Sequence, residues 1–344
     1  MKILVTGGCG YLGSHTCCEL LLNNYEVIIV DNLTNSKKII PSRIEKITGK
    51  TVKVYNEDLC NKAALRTIFE ENDILAVIHL AGAKGVDESL ENPMSFYSNN
   101  VAATINLLEV MQEFNCKKLV FGSTAMVYGT KCNDVIEETS ELKPENIWGK
   151  SKLICEEILS DIYENDESWS IAILRHFNPA GAHSSGLLGE SIEDMPSTLI
   201  PRLVKVATGS LNELQIYGND YNTEDGTGRR DFTHVCDIAR AHVKAIEKVL
   251  STREIDYYNL GTGYSHSVMD VIKIFEKVNN VTINYTIKGR RNGDAAITVA
   301  STDYTSKKLG WQAEKDLGDI CIDSYNHIIK EYIDKEPTEE DYNI

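Results

Sequence analysis

The stretch Thr-Gly-Gly-Cys-Gly-Tyr-Leu-Gly, residues 6–13, follows directly on a short apolar run, residues 3–5. Its glycines fit the pattern G-x-G-x-x-G from Gly8 to Gly13, and they also recur at every third position from Gly7 to Gly13. Residues 14–23 come next, and their apolar residues share one face of a helix. A strand, a glycine turn and a helix in this order predict the first unit of a parallel sheet covered by helices.

The rest of the chain repeats this alternation of short apolar runs and helix-length amphipathic stretches. The right-handed crossover rule places such strands in one doubly wound sheet. The predicted strands are residues 2–6, 26–30, 52–55, 76–80, 118–123, 170–177 and 257–260. We therefore predict an α/β fold, a doubly wound parallel sheet of the Rossmann type, with a smaller mixed α/β lobe for the substrate.

The pattern changes near residue 179. Glycine, proline and polar residues cluster at 179–197 and again at 218–231. Loops of this length in a compact domain usually carry function. We predict a dinucleotide-binding domain over residues 1–179, to which a late strand near 255–261 returns, and a lobe formed mainly by residues 180–344 that binds the substrate.

Composition excludes several classes of protein. The hydrophobic share of 42% and the charged share of 25% are those of an ordinary globular protein. The formal net charge of -16 repels a polyanion, so we expect no nucleic-acid partner. No apolar run is long enough to cross a membrane, and the start of the chain does not resemble a signal peptide. We expect a cytoplasmic protein without a membrane partner, whose nine cysteines are reduced and hold no metal.

Asp31 ends the second predicted strand, at the distance from the glycine turn where a carboxylate accepts hydrogen bonds from an adenosine ribose. The glycines let the backbone approach a pyrophosphate, and the helix start offers free N–H groups to it. The same carboxylate would repel a 2′-phosphate, so the pattern favours NAD over NADP. The alternative interpretation is a structural turn followed by an aspartate that caps the next loop.

Longer motifs then narrow the class of protein. They are residues 6–13, 31–36, 80–84, 99–101, 123–129, 176–183 and 217–231, of which the last two are the most specific. Together they resemble the UDP-glucose 4-epimerase family of extended short-chain dehydrogenase/reductases, over the chain to about residue 330. The resemblance implies bound NAD, UDP-glucose and UDP-galactose as substrates, and a homodimer. It also implies a reaction in which a base takes the 4-hydroxyl proton, NAD takes the C4 hydride, and the rotated keto sugar recovers the hydride on its other face.

The resemblance also assigns binding residues. For the cofactor it implies Gly7, Gly10, Tyr11, Leu12, Gly13, Asp31, Asn32, Asn35, Asp58, Leu59, Leu80, Lys84, Asn99, Lys152 and Phe177. For the substrate it implies Lys84, Thr124, Asn178, Thr198, Leu199, Gln215, Ile216, Tyr217, Arg230, Arg291 and Asp294. The two arginines suit a diphosphate because a planar guanidinium makes bidentate contacts with phosphate oxygens. A charged surface face is the alternative interpretation of the arginines.

The catalytic motif departs from the family. The family's base is the tyrosine of a Tyr-x-x-x-Lys helix motif, and this chain has Trp148 and Lys152 at the two positions. By resemblance Lys152 holds the nicotinamide ribose, and Thr124 matches a serine that hydrogen-bonds the sugar 4-hydroxyl. An indole N–H is only a donor and does not titrate in the accessible range. Trp148 in the base position therefore predicts a slow enzyme or an inactive one.

Three hypotheses stay open. The first is an epimerase-like isomerase that is slowed, or that uses a replacement base among Tyr128, Tyr97, His79, His176 and Asp87. The second is a non-catalytic protein that binds NAD and a nucleotide sugar. The third is another nucleotide-sugar oxidoreductase, although a 4,6-dehydratase would have an acidic pair where Ala125 and Met126 stand. Three further residues depart from the family in the site: Gly122, Thr198 and Thr298.

Overall fold

The strands follow the apolar, β-branched segments of the sequence. The computed structural model describes residues 1–85, 89, 91–130, 135–191, 198–291 and 293–333. The strands within these ranges are β1 (Lys2–Thr6), β2 (Glu26–Val30), β3 (Lys53–Tyr55), β4 (Ile74–His79), β5 (Lys118–Thr124), β6 (Val135–Ile136), β7 (Ser170–His176), β8 (Asn178–Ala180), β9 (Leu214–Tyr217), β10 (Arg229–Arg230), β11 (Phe232–His234), β12 (Ile255–Leu260), β13 (His266–Ser267), β14 (Tyr285–Lys288) and β15 (Ile297–Ala300).

Helices connect most of these strands. They are α1 (Tyr11–Leu22), α2 (Ile40–Thr48), α3 (Lys62–Glu71), α4 (Pro93–Tyr97), α5 (Ala103–Glu113), α6 (Ile147–Asn165), α7 (Leu199–Ala207), α8 (Val235–Ser251), α9 (Val268–Asn279), α10 (Asp303–Leu309) and α11 (Leu317–Ile333). A π-helical turn, Ser98–Ala102, joins α4 to α5, and a 3₁₀ turn, Ala125–Tyr128, follows β5.

Seven strands form one parallel sheet in the order β12-β7-β5-β4-β1-β2-β3. The order reverses at β1, where one half of the sheet continues to β2 and the other to β4, which is the doubly wound topology. The predicted fold is therefore confirmed. Each of the seven predicted strands is present, and no end differs from its prediction by more than two residues.

Both faces of this sheet are buried. Helices α1 and α8 cover one face, with Leu20 and Ile246 in its core cluster. Helices α3, α5 and α6 cover the other face, whose core cluster includes Leu65, Leu107 and Leu159. A buried leucine or isoleucine stabilises a fold by about 1.5–3 kcal/mol, so these two layers hold the carboxyl ends of the strands in a rigid row.

The smaller lobe is mixed, as predicted. Its four-stranded sheet, in the order β13-β10-β15-β6, pairs β10 antiparallel to β13 and parallel to β15. Two-stranded sheets pair β11 with β8 and β14 with β9. A separate core cluster of α7, α9 and α11 includes Leu203, Phe275 and Ile320. Two elements that follow residue 180, α8 and β12, pack on or extend the large sheet instead.

Some features bear on the class of protein. Within the described ranges, no helix combines the length and the apolar character that crossing a membrane requires. The eight cysteines in the described part of the chain are all unpaired. Among the same described residues, no three or more histidine, cysteine, aspartate or glutamate side chains are placed to hold a metal ion.

Candidate functional site

The predicted cofactor residues follow the carboxyl ends of the parallel strands. The sheet register pairs Thr6 of β1 with both Val30 of β2 and His79 of β4, and it pairs Thr124 of β5 with His176 of β7. The residues that follow these strand ends therefore share one edge of the sheet. In open α/β sheets this edge, at the point where strand order reverses, is where ligands bind.

The glycine turn is built as its spacing predicts. Gly7 has a φ of +68°, and a β-carbon there would lie 2.8 Å from the backbone nitrogen of Ala81. The N–H of Gly10 donates to the carbonyl of Gly7 at 3.0 Å, and Gly10 is the N-cap residue of α1. A β-carbon on Gly13 would collide with the carbonyl oxygen of Gly7. The turn thus depends on glycine for its conformation and for the close contact between helix and strand.

Asp31 closes this turn from the neighbouring strand. Its side chain is 8% exposed, and its Oδ2 accepts a hydrogen bond from the N–H of Cys9 at 2.9 Å. Its Oδ1 accepts from the N–H of Leu33 and the hydroxyl of Ser36, each at 2.9 Å. Three hydrogen bonds from the protein therefore fix the carboxylate beside the turn.

The next predicted cofactor residues surround the ends of β2 and β3. The amide of Asn32 donates to the carboxylate of Asp58 at 2.8 Å. Hydrogen bonds from the N–H of Cys60 and from Asn32 lower the pKa of Asp58, so this carboxylate is ionised. Leu59 is 6% exposed, whereas Asn35 lies exposed on the loop after β2. Of these side chains, Asn32 and Asp58 are therefore held together by a hydrogen bond.

Tyr11 and Lys84 stand between the glycine turn and the small lobe. The Tyr11 hydroxyl donates to the carbonyl of Gly181 at 2.7 Å, and the Lys84 ammonium lies 5.9 Å from the centre of the Tyr11 ring. Lys84 also lies 3.1 Å from a carboxylate oxygen of Glu190. Glu190 accepts a hydrogen bond from Thr198 at 3.4 Å as well. Glu190 is a single acidic residue in a polar loop, a pattern that gives no functional signal in the sequence.

The remaining cofactor candidates lie around the same edge. Leu12, in the first turn of α1, is half-buried and packs against the core cluster, and Leu80 follows β4 directly. The Asn99 amide donates to Ser95 at 3.1 Å within the π-helical turn region. Phe177 follows β7 and is 6% exposed.

Thr124 and Lys152 reach the strand edge from β5 and α6. The Thr124 hydroxyl accepts from the N–H of Met126 at 3.2 Å, and the Thr124 side chain is 3% exposed. The Lys152 ammonium donates to the carbonyl of Gly122 at 2.9 Å. Burial lowers the pKa of Lys152. Because little water screens the buried Lys152 ammonium, its positive charge would act strongly on an anionic group placed beside it.

Trp148 lies in the first turn of α6, one helical turn before Lys152. Asn146 caps this helix, with its side-chain oxygen accepting from the N–H of Gly149 at 2.8 Å. Residues four apart share one helix face, so the half-buried indole and the lysine face the same region. The carbonyl of Trp148 accepts from the Ser151 hydroxyl at 2.8 Å, which fixes the backbone of this turn.

Asn100 joins this helix to the loop after β4. It is 2% exposed, its Oδ1 accepts from the N–H of Ala83 at 2.7 Å, and its amide donates to the Ser151 hydroxyl at 2.9 Å. Asn100 belongs to the motif of residues 99–101, but no role was predicted for it. Its signal was the pair of consecutive asparagines, of which only Asn99 was assigned.

Three of the four replacement bases inside the described ranges are hydrogen-bonded or buried. The Tyr128 hydroxyl donates to Asn259 at 2.7 Å and accepts from Arg175 at 2.7 Å. His79 lies between Thr6 and Thr104, and burial lowers its pKa to about 3. Burial also lowers the pKa of His176 far below its usual value. Tyr97 is half-buried at the end of α4, and Asp87 lies outside the described residues.

Arg230, Arg291 and Asp294 form one charged group in the small lobe. Arg291 Nε donates to Asp294 at 3.1 Å, and Arg230 lies 3.8 Å from the other carboxylate oxygen. The Arg291 guanidinium lies 4.7 Å from the centre of the Tyr217 ring. Burial lowers the pKa of Arg230, while the Asp294 charge opposes that shift. Four substrate candidates thus meet: Asp294 lies between the two arginines, and Arg291 also lies beside the Tyr217 ring.

The other substrate candidates are more dispersed. The N–H of Asn178 donates to the carbonyl of Asp231 at 3.1 Å, next to Arg230 in the chain. Gln215 is exposed on β9 and accepts from the Tyr217 hydroxyl at 2.9 Å. Ile216 is 1% exposed within the core of the small lobe, so a ligand contact there would have to use its backbone. Leu199 begins α7 directly after Thr198.

Comparison with known proteins places this geometry in a family. A sequence model of the NAD dependent epimerase/dehydratase family matches residues 3–261. The chain belongs to this family. Among its relatives, UDP-glucose 4-epimerase of Bacillus subtilis (strain 168) is 46% identical, over 94% of this chain and 96% of the relative. The UDP-glucose 4-epimerase of Dictyostelium discoideum is 44% identical, over 94% of each chain.

Solved structures of the family have the same architecture. The UDP-glucose 4-epimerase of Bifidobacterium longum, in complex with NAD+ and UDP, superimposes with a TM-score of 0.92 and 46% identity, over 96% of this chain and 98% of that one. The enzyme of Stenotrophomonas maltophila, with bound NAD and formylated UDP-arabinopyranose, gives a TM-score of 0.94 and 39% identity, over 96% and 99%. Family membership therefore applies to the whole described fold.

Proposed function

We propose that the chain is an NAD-dependent isomerase that interconverts UDP-glucose and UDP-galactose by oxidation, rotation and re-reduction at C4 of the hexose. The observation that carries the proposal is that Asp31, bonded to the glycine turn, and Lys152, bonded to Gly122, share one sheet edge. In this proposal residues 1–179 form the NAD-binding domain, which β12 joins, and residues 180–344 form mainly the UDP-sugar lobe.

The turn fits a nicotinamide dinucleotide. Gly10 has no side chain to cap α1, so the first N–H groups of the helix remain available to a pyrophosphate. A β-carbon on Gly82 would lie 2.8 Å from the Asn100 side-chain oxygen, so this second glycine keeps the loop after β4 close to the sheet edge. The Asp31 carboxylate would accept from the adenosine ribose and exclude a 2′-phosphate. These contacts favour bound NAD over NADP.

The chain's own groups would orient the sugar and the nicotinamide ribose, whereas the 4-hydroxyl proton has no side-chain acceptor at the Trp148 position. When bound, NAD accepts the hydride of C4 and returns it. Thr124 is proposed to hydrogen-bond the 4-hydroxyl, and Lys152 to hold the nicotinamide ribose through its ammonium. Because Lys152 is buried, little water would screen its charge from the sugar and the nicotinamide ribose beside it.

Trp148 occupies the position of the general base but cannot accept a proton. Loss of a general base typically lowers a rate by about 10² to 10⁴, which corresponds to roughly 3–5 kcal/mol of barrier. An indole is also larger than a phenol, so it displaces the sugar from the base position. We propose that turnover is slow for these two reasons. The same observation favours a second candidate function, a non-catalytic protein that binds NAD and a UDP-sugar.

The charged group of the small lobe would bind the nucleotide. Arg230 and Arg291 would contact the diphosphate, and Asp294 the uridine ribose, and Lys84 is a further candidate contact of the substrate. Guanidinium groups suit this task because two N–H groups meet two phosphate oxygens. The ring of Tyr217, which lies beside Arg291, would offer a flat apolar surface to the nucleobase of UDP.

We further propose a homodimer that pairs α5 and α6 of two copies. Ile105 is 39% exposed on α5, and Ile154, Ile158 and Ile162 are half-buried on α6. Pairing the two helices would remove this apolar surface from water. The cytoplasmic location stays a prediction from the sequence.

The proposal is tested by incubating the purified protein with UDP-galactose. Released nucleotide, product sugar and the absorbance of bound NADH would be followed together. The proposal expects one NAD per chain and slow formation of UDP-glucose. UDP-sugar binding without product or NADH would favour the non-catalytic candidate, and a protein that neither contains nor takes up NAD would contradict both.

A further inference from the structure

Two consecutive arginines, Arg290 and Arg291, contact two different tyrosines. The Arg291 guanidinium lies over Tyr217, whereas the Arg290 guanidinium lies 4.1 Å from the centre of the Tyr221 ring. Arg291 also donates a hydrogen bond to Asp294, within the charged group that these two residues form with Arg230. Arg290 makes no such contact among the described residues, and its partners lie in the turn that follows β9. The two neighbours therefore act on different parts of the lobe.

Arg290 holds this turn by a fork of two hydrogen bonds. Its Nε donates to the Asp220 carboxylate at 2.7 Å, and its Nη2 donates to the backbone carbonyl of the same residue. The hydrogen bond from Arg290 lowers the pKa of Asp220, so the carboxylate is ionised. Arg290 is 45% exposed and Asp220 70% exposed. Solvent screens such a pair, so its effect is on geometry more than on overall stability.

Gly218 shows how tightly this unit is packed. It has a φ of +87°, and a β-carbon there would lie 2.6 Å from the Tyr221 ring and 2.9 Å from Cγ of Arg290. The N–H of Gly218 also donates to the carbonyl of Lys288 at 2.9 Å, where β9 and β14 end together. We call Gly218, Asp220, Tyr221 and Arg290 the Arg290 clamp.

We propose that Arg290 is a positioning residue for nucleotide binding: through the clamp it fixes the end of β9 against the end of β14, and so sets Tyr217 and Arg291 relative to Arg230 and Asp294. Tyr217 directly precedes the clamp in one segment, and Arg291 directly follows it in the other. This inference rests on the proposed binding of a nucleoside diphosphate by the small lobe. Arg290 itself does not touch the ligand in this account.

The clamp and a simple charge effect predict different results for Arg290→Lys. Lysine keeps the positive charge but loses the planar fork and the stacking on Tyr221. If Arg290 acted only through its positive charge, Arg290→Lys would bind UDP as tightly as the native protein, and Arg290→Gln would bind UDP more weakly. The clamp predicts that both variants bind UDP about five- to twentyfold more weakly, to a similar extent.

Asp220→Ala separates the two explanations further, because their signs are opposite. If only electrostatic repulsion mattered, removal of a carboxylate near an anion site would strengthen the binding of the anion. The clamp predicts weaker binding instead, since Arg290 loses the partner that holds it. Glu224→Ala is the matched control, because Glu224 is an exposed carboxylate of the same loop outside the clamp.

The experiment is calorimetric titration of the NAD-loaded protein with UDP, for the native chain and these four variants. NAD content and thermal unfolding are measured on each variant, and KM and kcat for UDP-galactose accompany the binding data. We expect weaker UDP binding and a raised KM with unchanged kcat for Arg290→Lys, Arg290→Gln and Asp220→Ala, and native binding for Glu224→Ala. Native affinity in Arg290→Lys, or tighter binding in Asp220→Ala, would overturn the inference while leaving the proposed function intact. A native protein that binds no UDP would overturn both.

Discussion

The Cα atom of Gly13 packs so closely on the carbonyl of Gly7 that no β-carbon fits between them. A β-carbon at residue 13 would also lie 2.7 Å from the Cα atom of Gly8. The start of α1 therefore lies directly on the turn that leaves β1. This contact is independent of any ligand, because it joins backbone to backbone.

Gly13→Ala is expected to disrupt the fold of this region, whereas Gly10→Ala is expected to spare it. At Gly10 a β-carbon would lie 3.2 Å from the Gly7 oxygen, and the φ of −73° suits alanine. Gly13→Ala should lower the free energy of unfolding by about 1–3 kcal/mol, as overpacking does. Gly10→Ala should unfold at nearly the native temperature but retain less NAD, because the new methyl group faces the pyrophosphate.

Both variants would be compared by thermal unfolding and by the NAD released from purified protein. Equal losses of stability in the two variants would contradict the contact between residues 7 and 13. Full retention of NAD by Gly10→Ala would contradict the placement of the pyrophosphate.

A buried ion pair anchors α6 behind the site. Arg175 of β7 and Glu156 of α6 are 3% and 2% exposed, and their closest atoms lie 2.7 Å apart. Ser123 also donates to Glu156, and Arg175 donates to the carbonyl of Glu138 at 2.9 Å. Glu156 lies one helical turn after Lys152, so the pair fixes the helix that presents the lysine.

Arg175→Met is expected to lower the free energy of unfolding by about 3–5 kcal/mol, because it leaves a buried carboxylate without its partner. The double variant Arg175→Met with Glu156→Leu should regain most of that loss, since it removes both charges. Urea unfolding at one fixed NAD concentration measures the difference. A double variant that is as unstable as the sum of the two single variants would contradict the coupling.

His242 predicts a pH dependence of stability. It is fully buried in α8, its Nδ1 bonds the carbonyl of Ile238 at 2.8 Å, and burial lowers its pKa to about 4. Below pH 6.5, the usual pKa of histidine, His242 is protonated in the unfolded chain but stays neutral in the folded chain until the pH approaches 4. The folded state therefore loses stability as pH falls from 6.5 toward 4, by up to about 1.4 kcal/mol per pH unit for this one group.

His242→Leu should make that slope shallower by up to one proton, whatever it does to absolute stability. Denaturant unfolding of both proteins at pH 7.5, 6.0 and 5.0 gives the comparison, with the pH values chosen to span the window. Parallel curves for the two proteins would show that His242 does not titrate on unfolding.

The large sheet could be predicted from the sequence because each of its strands is marked by a local apolar run. Apolar runs such as residues 118–123 form strands wherever they are buried on both faces, and parallel pairing then brings their ends together. The start of β12 was placed two residues late. Ile255 and Asp256 form strand only because β7 lies beside them, paired with Ile171 and Ala172.

Side-chain partners across the fold could not be predicted in this way. Glu156 and Arg175 are separate charges in the sequence, and only the packing of α6 on β7 makes them a buried pair. Ile216 was assigned to the substrate, but alternation along β9 turns its side chain into the core. Asn100 and Arg290 each stand beside an assigned residue of the same type, and only their contacts separate the two roles.

The most direct test of the account is the rate of UDP-galactose epimerisation in Trp148→Tyr, with Trp148→Phe as a control for size. Tyrosine restores a titratable hydroxyl one turn before Lys152, whereas phenylalanine restores only the smaller ring. We predict that Trp148→Tyr turns over about 10² to 10⁴ times faster than the native chain, with UDP affinity little changed, and that Trp148→Phe stays slow. A native chain that already epimerises as fast as Trp148→Tyr would contradict the account.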